Sequence, residues 1–153
     1  MKTTLFIQIV LISMFSVAAY GQVGINTTDP TTTLDVNGSL SLRAGTLSMT
    51  NGNNNNIDLG DSPLSVYRIE GPTNSFKVSG LMPVESADGQ MITLINTTEE
   101  IMTIRHNTAS TPDQRILCPG ADDLVLEGQF ATVTLIYSAV DSRWFVTNIS
   151  GAL

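Results

Sequence analysis

The sequence predicts an all-β protein, and three observations carry that prediction. The chain is rich in Thr, Val, Ile, Asn, Gly and Ser, which suit strands and turns. Short stretches of alternating apolar and polar residues recur between turn signals. After residue 21, no window keeps apolar residues at helical spacing with proper caps. We therefore expect a thin, turn-rich β region at residues 22–83, followed by a small antiparallel β-sandwich or barrel at residues 84–153.

Residues 1–21 have the organisation of an export signal. Lys2 gives a positive start, Leu5 to Val17 form an apolar run, and Ala19-Tyr20-Gly21 places small residues before a cleavage point. The run is shorter than the roughly 20 apolar residues that a membrane-spanning helix needs. The sequence thus predicts a secreted or extracytoplasmic protein, in the periplasm or at the cell surface, with no transmembrane span in the mature chain.

The first part of the mature chain, residues 22–43, predicts a hairpin. Leu34 and Val36 precede Asn37-Gly38, and Leu40 and Leu42 follow it, each alternating with polar residues. Apolar-polar alternation on both sides of an Asn-Gly pair is the strongest short-range hairpin signal.

The next stretch predicts a polar loop and several short strands. Residues 51–56 read NGNNNN, which favours a loop or left-handed turn positions, with a stacked asparagine ladder as the alternative. Residues 65–69 and 75–78 are short strand candidates, and residues 80–83 (GLMP) break the pattern. We place the boundary between the two regions at that break.

The second region has the denser β pattern. Two strands are expected at residues 90–95 and 101–106, and a shorter one at 124–126. Residues 130–137 and 143–149 alternate clearly and flank a polar loop, so they predict a final hairpin. Hairpins of this kind build small sandwiches and barrels.

Charge and cysteine content exclude some classes of function. Beyond residue 21 the chain has six basic and 14 acidic residues, a net charge of −8. Such a chain is a poor partner for nucleic acid, whose phosphates require Lys and Arg. Cys118 is the only cysteine, so an intramolecular disulfide is excluded. We expect it to be buried, with an intermolecular bridge or a reactive thiol as alternatives.

Two segments resemble a known group of proteins. Residues 23–38 follow the pattern VGI-x-T-x-x-P-x-x-x-L-x-V-x-G, which resembles the opening of exported Bacteroidetes-type proteins and of bacteriophage tail-fibre-like proteins. Residues 88–90, 104–107, 123–126 and 137–144 resemble the β-rich distal domain of tail-fibre-like proteins. The resemblance implies an elongated homotrimer that presents a surface or binds a receptor.

The residues that could carry chemistry are few. His106 is the only histidine, and we expect it to be bonded to backbone at a strand end rather than to act in catalysis. One His and one Cys cannot complete a zinc site. The carboxylate pairs Glu99-Glu100 and Asp122-Asp123 are interpreted as solvated loop charges. We expect no catalytic residues, no cofactor and no metal site, with calcium near residues 51–61 as a weaker alternative.

Four residues remain as candidates for ligand binding: Trp144, Tyr137, Arg143 and His106. Exposed aromatic rings could stack on a sugar, whereas buried ones would serve the core. Arg143 is expected at the rim of the sheet, beside Trp144.

Three hypotheses of function follow. The first is a non-catalytic structural or surface-presentation module, fibre-like and homotrimeric. The second is a carbohydrate- or receptor-binding module in the distal β domain. The third is a hydrolase with a site between subunits, which would require two perturbed carboxylates facing a cleft.

Overall fold

The structure is a computed structural model that describes residues 21–85 and 87–151. Apart from Gly21, the predicted export signal lies outside the described residues. The described chain is all-β, and its only helical segments are two three-residue 3-10 turns, Pro112–Gln114 and Pro119–Ala121. The twelve strands of this part of the chain are β1 Val23–Ile25, β2 Leu34–Val36, β3 Ala44–Ser48, β4 Gly52–Asn54, β5 Val66–Glu70, β6 Phe76–Val78, β7 Met91–Asn96, β8 Met102–Ile104, β9 Ile116–Leu117, β10 Leu124–Leu126, β11 Thr132–Ser138 and β12 Arg143–Ser150.

The described chain divides into two compact units, the first ending at Ser41 and the second beginning at Leu42. In the first unit, β1 and β2 pair in parallel, with Val23 opposite Leu34 and Ile25 opposite Val36. The hairpin predicted around Asn37-Gly38 is therefore wrong, because β2 pairs backwards along the chain and no strand follows the Asn-Gly pair before Ala44.

Local hydrogen bonds explain why β1 and β2 pair in parallel instead of β2 forming a hairpin. Asn26 adopts a left-handed backbone with φ of 57°, and its side-chain amide donates to the carbonyl of Asn37 at 3.0 Å. The carboxylate of Asp35 accepts from the backbone N–H of Thr31 at 2.9 Å and from its hydroxyl at 3.0 Å. These bonds hold the connection between β1 and β2. The two bonds to the carboxylate also lower the pKa of Asp35, and the bond from the backbone N–H of Thr31 has the larger effect.

The second unit begins as a stack of coils, an arrangement like a β-solenoid. Strands β3, β5 and β7 pair in parallel in a six-stranded sheet, while β4, β6 and β8 pair in parallel in a four-stranded sheet. The chain passes from one sheet to the other in each coil. Ala44 lies opposite Val66, and Val66 opposite Thr93, so successive coils advance by 22 and then 27 residues.

Antiparallel strands complete both sheets. Strand β10 pairs with β8, β11 lies between β7 and β12, and the short β9 pairs in parallel with β12. The predicted final hairpin is confirmed as β11 and β12, with a register shift between Thr134 and Leu135. The strands predicted at residues 90–95 and 101–106 are confirmed as β7 and β8 in position. They belong to different sheets, however, and do not form a hairpin.

The sequence break at residues 80–83 lies inside the coil stack. Strands before it pair with strands after it, since β5 pairs with β7 and β6 with β8. Gly80 is required for packing at this point, because a Cβ there would collide with the carbonyl oxygen of Gln114. The glycine thus marks a close approach between two backbones within this unit.

One apolar core lies between the two sheets. Trp144 is fully buried, and its indole N–H donates to the carbonyl of Leu81 at 2.8 Å. The ring of Tyr137, on the neighbouring strand, lies 5.1 Å from that of Trp144, tilted by 56°. The other fully buried large side chains come from both sheets and the segment after β6: Phe76, Ile69, Leu81, Ile92, Leu94, Met102, Ile104, Ile116, Leu126, Leu135 and Val78.

The asparagine-rich tract serves the turns of the stack. The side-chain oxygen of Asn51 accepts from the backbone N–H groups of Thr73 and Asn74 at 2.8 and 3.1 Å, in the next coil. Asn56 has a left-handed backbone with φ of 49°, and its side chain accepts from the N–H of Thr111 at 2.8 Å. The loop interpretation is confirmed, and the amides also tie successive turns together.

We expect Trp144→Phe to lower the free energy of unfolding by about 2–4 kcal/mol. The substitution leaves the buried Leu81 carbonyl without its donor and opens a cavity in the core. Chemical denaturation followed by far-ultraviolet circular dichroism measures the change, since the only tryptophan is lost. A change below about 0.5 kcal/mol would show that the indole hydrogen bond and its packing contribute little.

We expect Asn51→Ala to lower the free energy of unfolding by about 1 kcal/mol, because two N–H groups of the next coil lose their acceptor. The exposed Asn55 of the same tract is the matched control, and Asn55→Ala should change stability by less than about 0.5 kcal/mol. Equal effects in the two variants would contradict the bridging role of Asn51.

Candidate functional site

The segment Met82–Glu85 is flanked by two clefts in the second unit. The first, of about 320 Å³, is lined by this segment together with Asp113, Gln114, Tyr137 and Ala139. The second, of about 410 Å³, lies on the other side of the segment and is lined also by Asp58, Gly60 and Asp61. These clefts are the concave surfaces where a small ligand could bind.

The clefts carry negative charge. Glu85 and Asp113 line the first cleft, while Asp58 and Asp61 line the second. Burial raises the pKa of the Tyr137 phenol, and the charge of Asp113 raises it further. The phenol therefore stays protonated and can donate a hydrogen bond. Such a surface favours neutral or cationic groups over anions.

A second group of polar side chains surrounds the end of β8. The Nδ1 atom of His106 accepts from the backbone N–H of Cys118 at 3.0 Å, and the backbone N–H of His106 donates to Asp123 at 2.8 Å. The other oxygen of Asp123 lies 2.7 Å from the Nε atom of Arg105. These contacts tie the chain after β8 to the segment between β9 and β10.

The sequence interpretation of this group is confirmed for His106 and needs correction for Asp123. His106 is bonded to backbone at the end of a strand, as expected. Asp123 is paired with Arg105 rather than being a free loop charge, because the pairing of β8 with β10 brings residues 105 and 123 together.

Cys118 is a buried free thiol. Its thiol lies 3.8 Å from the carbonyl oxygen of Ile104 and belongs to the apolar core. Burial raises the pKa of the thiol to about 11, with a further contribution from the charge of Asp123. The expected buried role is confirmed, since a thiol of this pKa is a poor nucleophile at neutral pH.

The four candidate ligand-binding residues are placed differently from one another. Trp144 is fully buried and Tyr137 is only 7% exposed, so both aromatic rings serve the core. Arg143 is half-buried beside them on β12 and donates to the carbonyl of its neighbour Ser142 at 2.7 Å. His106 lies beyond the end of β8. Of the four, only Tyr137 lines a cleft.

The cleft residues Met82–Glu85, Asp113 and Gln114 were not identified from the sequence. They lie between strands, without an apolar-polar alternation or a spaced motif to mark them. The interruption of the strand pattern at residues 80–83 was the only sequence signal near the clefts, and it was interpreted as a boundary between two regions.

No group of three His, Cys, Asp or Glu side chains is arranged to hold a metal ion within residues 21–85 and 87–151. Near the expected calcium region, Asp58 accepts from the N–H of Gly60 at 2.8 Å. None of the described segments forms a helix with the length and hydropathy needed to cross a membrane.

Comparison with known proteins adds no assignment. No family model matches the chain, and a search of curated proteins gives no significant match.

We expect Cys118 to resist alkylation in the folded protein. With a pKa of about 11, only about one thiol in a thousand is ionised at pH 8, so reaction with iodoacetamide should be at least about 100-fold slower than in the denatured chain. Mass spectrometry of samples quenched over time measures both rates. Similar rates in folded and denatured protein would contradict the buried position.

The same pKa has a consequence for stability. The unfolded chain ionises its thiol at a lower pH than the folded protein, so the stabilising contribution is complete below about pH 9 and is lost as the pH rises towards 11. In Cys118→Ala, the loss of folding stability between about pH 9 and pH 11 should be smaller, because the thiol is absent.

Proposed function

We propose that this protein is an exported, non-catalytic structural or surface-presentation module that assembles as a fibre-like homotrimer. One observation carries the proposal. The described part of the first unit exposes its apolar side chains: Val23, Ile25, Leu34 and Leu40 are each more than 50% exposed.

The described part of the first unit, residues 21–41, has little packing of its own. It holds one sheet, of two strands of three residues each. A two-stranded sheet without further packing is marginal in water. Side chains such as Ile25 and Leu34 would contribute about 1.5–3 kcal/mol each if they were buried. Association of several copies through these strands would supply that burial.

The coil stack of the second unit supports a role in presentation. Three successive coils pair in register, and each contributes a strand to both sheets. Coils stacked in this way form a rigid support that displays its loops at the surface. The turns between strands carry the polar side chains, as in the tract around Asn51 and Asn56.

A carbohydrate- or receptor-binding module in the distal β domain is the second candidate, and the cleft beside Tyr137 is the observation that favours it. The cleft combines an aromatic phenol with the carboxylates of Glu85 and Asp113, which could accept hydrogen bonds from hydroxyl groups. Trp144 adds nothing to this candidate because it is fully buried. A hydrolase with a site between subunits has no specific observation in its favour.

We expect the protein from residue 22 onward to have three times the mass of one chain, measured by light scattering after size exclusion. Leu34→Lys should raise the concentration at which the assembly dissociates by about tenfold or more, because the charge would be buried at the contact. Thr33→Lys is the control, since the same charge is added at the neighbouring exposed position outside the apolar row.

A wild-type protein with the mass of a single chain would contradict the trimer. A trimer that Leu34→Lys leaves intact would show that the first unit does not drive association.

A further inference from the structure

Three pairs in this chain place Asn or Asp directly before Gly: Asn37-Gly38, Asn51-Gly52 and Asp88-Gly89. Such pairs can rearrange without an enzyme, because the backbone nitrogen of the glycine can attack the side-chain carbonyl carbon of the residue before it. Glycine favours the attack, since it has no Cβ to hinder the ring that forms and its backbone adopts many conformations. The three pairs differ in how the fold holds the two reacting groups.

The Asn51-Gly52 pair is tied to the next coil. The side-chain oxygen of Asn51 accepts from the N–H groups of Thr73 and Asn74, and its side-chain nitrogen donates to the hydroxyl of Thr73 at 3.2 Å. The N–H of Gly52 donates to the carbonyl of Ser75 at 3.1 Å. Both reacting groups are engaged, so the attack requires a local opening that breaks these hydrogen bonds first.

The Asp88-Gly89 pair is held in a similar way. One carboxylate oxygen of Asp88 accepts from the N–H of Ala139 at 2.9 Å. The N–H of Gly89 donates to the carbonyl of Tyr137 at 2.9 Å. These bonds attach the pair to the end of β11 and to the residue that follows it.

The Asn37-Gly38 pair is bonded only through the backbone of Asn37. The N–H of Asn37 donates to the carbonyl of Ile25 at 3.0 Å, and its carbonyl accepts from the side-chain amide of Asn26 at 3.0 Å. Within residues 21–85 and 87–151, neither the side chain of Asn37 nor the N–H of Gly38 makes a hydrogen bond. The two groups that must react are therefore the two that this part of the fold leaves free.

Exposure and space do not explain the contrast between the two asparagine pairs. Asn37 and Asn51 are both exposed, and a Cβ at Gly38 or at Gly52 would meet nothing within 4 Å. The hydrogen bonds distinguish the pairs. At roughly 1 kcal/mol each, two or three bonds that must break together slow the attack by about 10- to 100-fold.

We propose that Asn37 is a site of spontaneous deamidation, with water as the co-reactant, and that the coil stack protects Asn51 from the same reaction. The nitrogen of Gly38 loses its proton to a solvent base and bonds to Cγ of Asn37. The bond from Cγ to the side-chain nitrogen breaks, and that nitrogen takes a proton from water and leaves as ammonia.

Water then opens the succinimide ring at either of its carbonyls. The hydroxyl of the water adds to the carbonyl carbon, and the nitrogen of Gly38 regains a proton. The carboxyl group that results ionises, so aspartate or isoaspartate replaces Asn37 and adds a negative charge to the first unit. Strand β2 ends at Val36, so the additional backbone carbon of isoaspartate lies after the last residue that pairs with β1. This inference does not rest on the proposed assembly.

The test follows both asparagine pairs in one sample of the full chain, kept folded at mildly alkaline pH. Trypsin cleaves after Arg43 and Arg68, so Asn37 and Asn51 are recovered on different peptides. Mass spectrometry measures the mass gain of each peptide over time, and fragmentation locates the modified residue. A parallel sample in denaturant removes the hydrogen bonds and gives the rates that the local sequence alone sets.

Gly38→Ala is the matched variant. Its Cβ hinders the attack on Asn37 but meets nothing within 4 Å in the folded protein, so the variant should fold. Circular dichroism verifies that it does.

In the folded protein we expect Asn37 to deamidate about tenfold or more faster than Asn51, and in denaturant we expect the two rates to agree within about threefold. Gly38→Ala should slow the reaction at Asn37 by about tenfold or more. A rate at Asn37 equal to or lower than that at Asn51 in the folded protein would overturn the proposal. A tenfold difference that persists in denaturant would overturn the protection of Asn51, because the neighbouring residues and not the hydrogen bonds would then set the rates.

Discussion

The apolar layer between the two sheets is the constraint on which the second unit depends. A single coil contributes one strand to each sheet and cannot bury its own apolar side chains. Ile69 of β5 and Phe76 of β6 are fully buried only because the next coil and the final hairpin cover them. Trp144 connects that hairpin to the segment after β6, because its indole N–H donates to the Leu81 carbonyl. Without this bond the carbonyl would be buried without a hydrogen-bond partner. The same bond fixes the start of the segment that separates the two clefts.

Strand positions in this chain could be predicted from the sequence, whereas strand partners could not. An alternating pattern has the same period in parallel and antiparallel strands, so it located β7, β8, β11 and β12 but said nothing about their sheets. The β11–β12 hairpin was accessible because its two strands are adjacent in sequence and in space. The parallel pairs of the coil stack join residues 22 to 27 positions apart, and no local signal encodes such a register. No hairpin forms at Asn37-Gly38. Hydrogen bonds made by Asn26 and Asp35 instead favour the parallel pairing of β1 with β2.

The same contrast applies to the site residues: surroundings set by the local sequence could be predicted, and those set by strand pairing could not. The environments of His106 and Cys118 were predictable, because a lone histidine at a strand end and a lone cysteine in an apolar context have few other uses. The ion pair of Asp123 with Arg105 was not, since it depends on the pairing of β10 with β8. The cleft beside Tyr137 was missed for a similar reason. Apart from Tyr137 on β11, its walls come from segments between strands, and only the three-dimensional arrangement brings Glu85 and Asp113 to one surface.

Charge is distributed over this protein in a way that follows from the fold. The outward position of β6 and the clefts carry charged residues, whereas the outward positions of β7 and β11 are uncharged. Phe145 and Ile136 lie side by side on the outer side of this sheet, where they are only partly exposed and their bulky side chains suit the strands. In the first unit, by contrast, Ile25 and Leu34 are each more than half exposed. The proposed assembly would bury these two side chains against further copies of the chain, which would contribute about 1.5–3 kcal/mol for each.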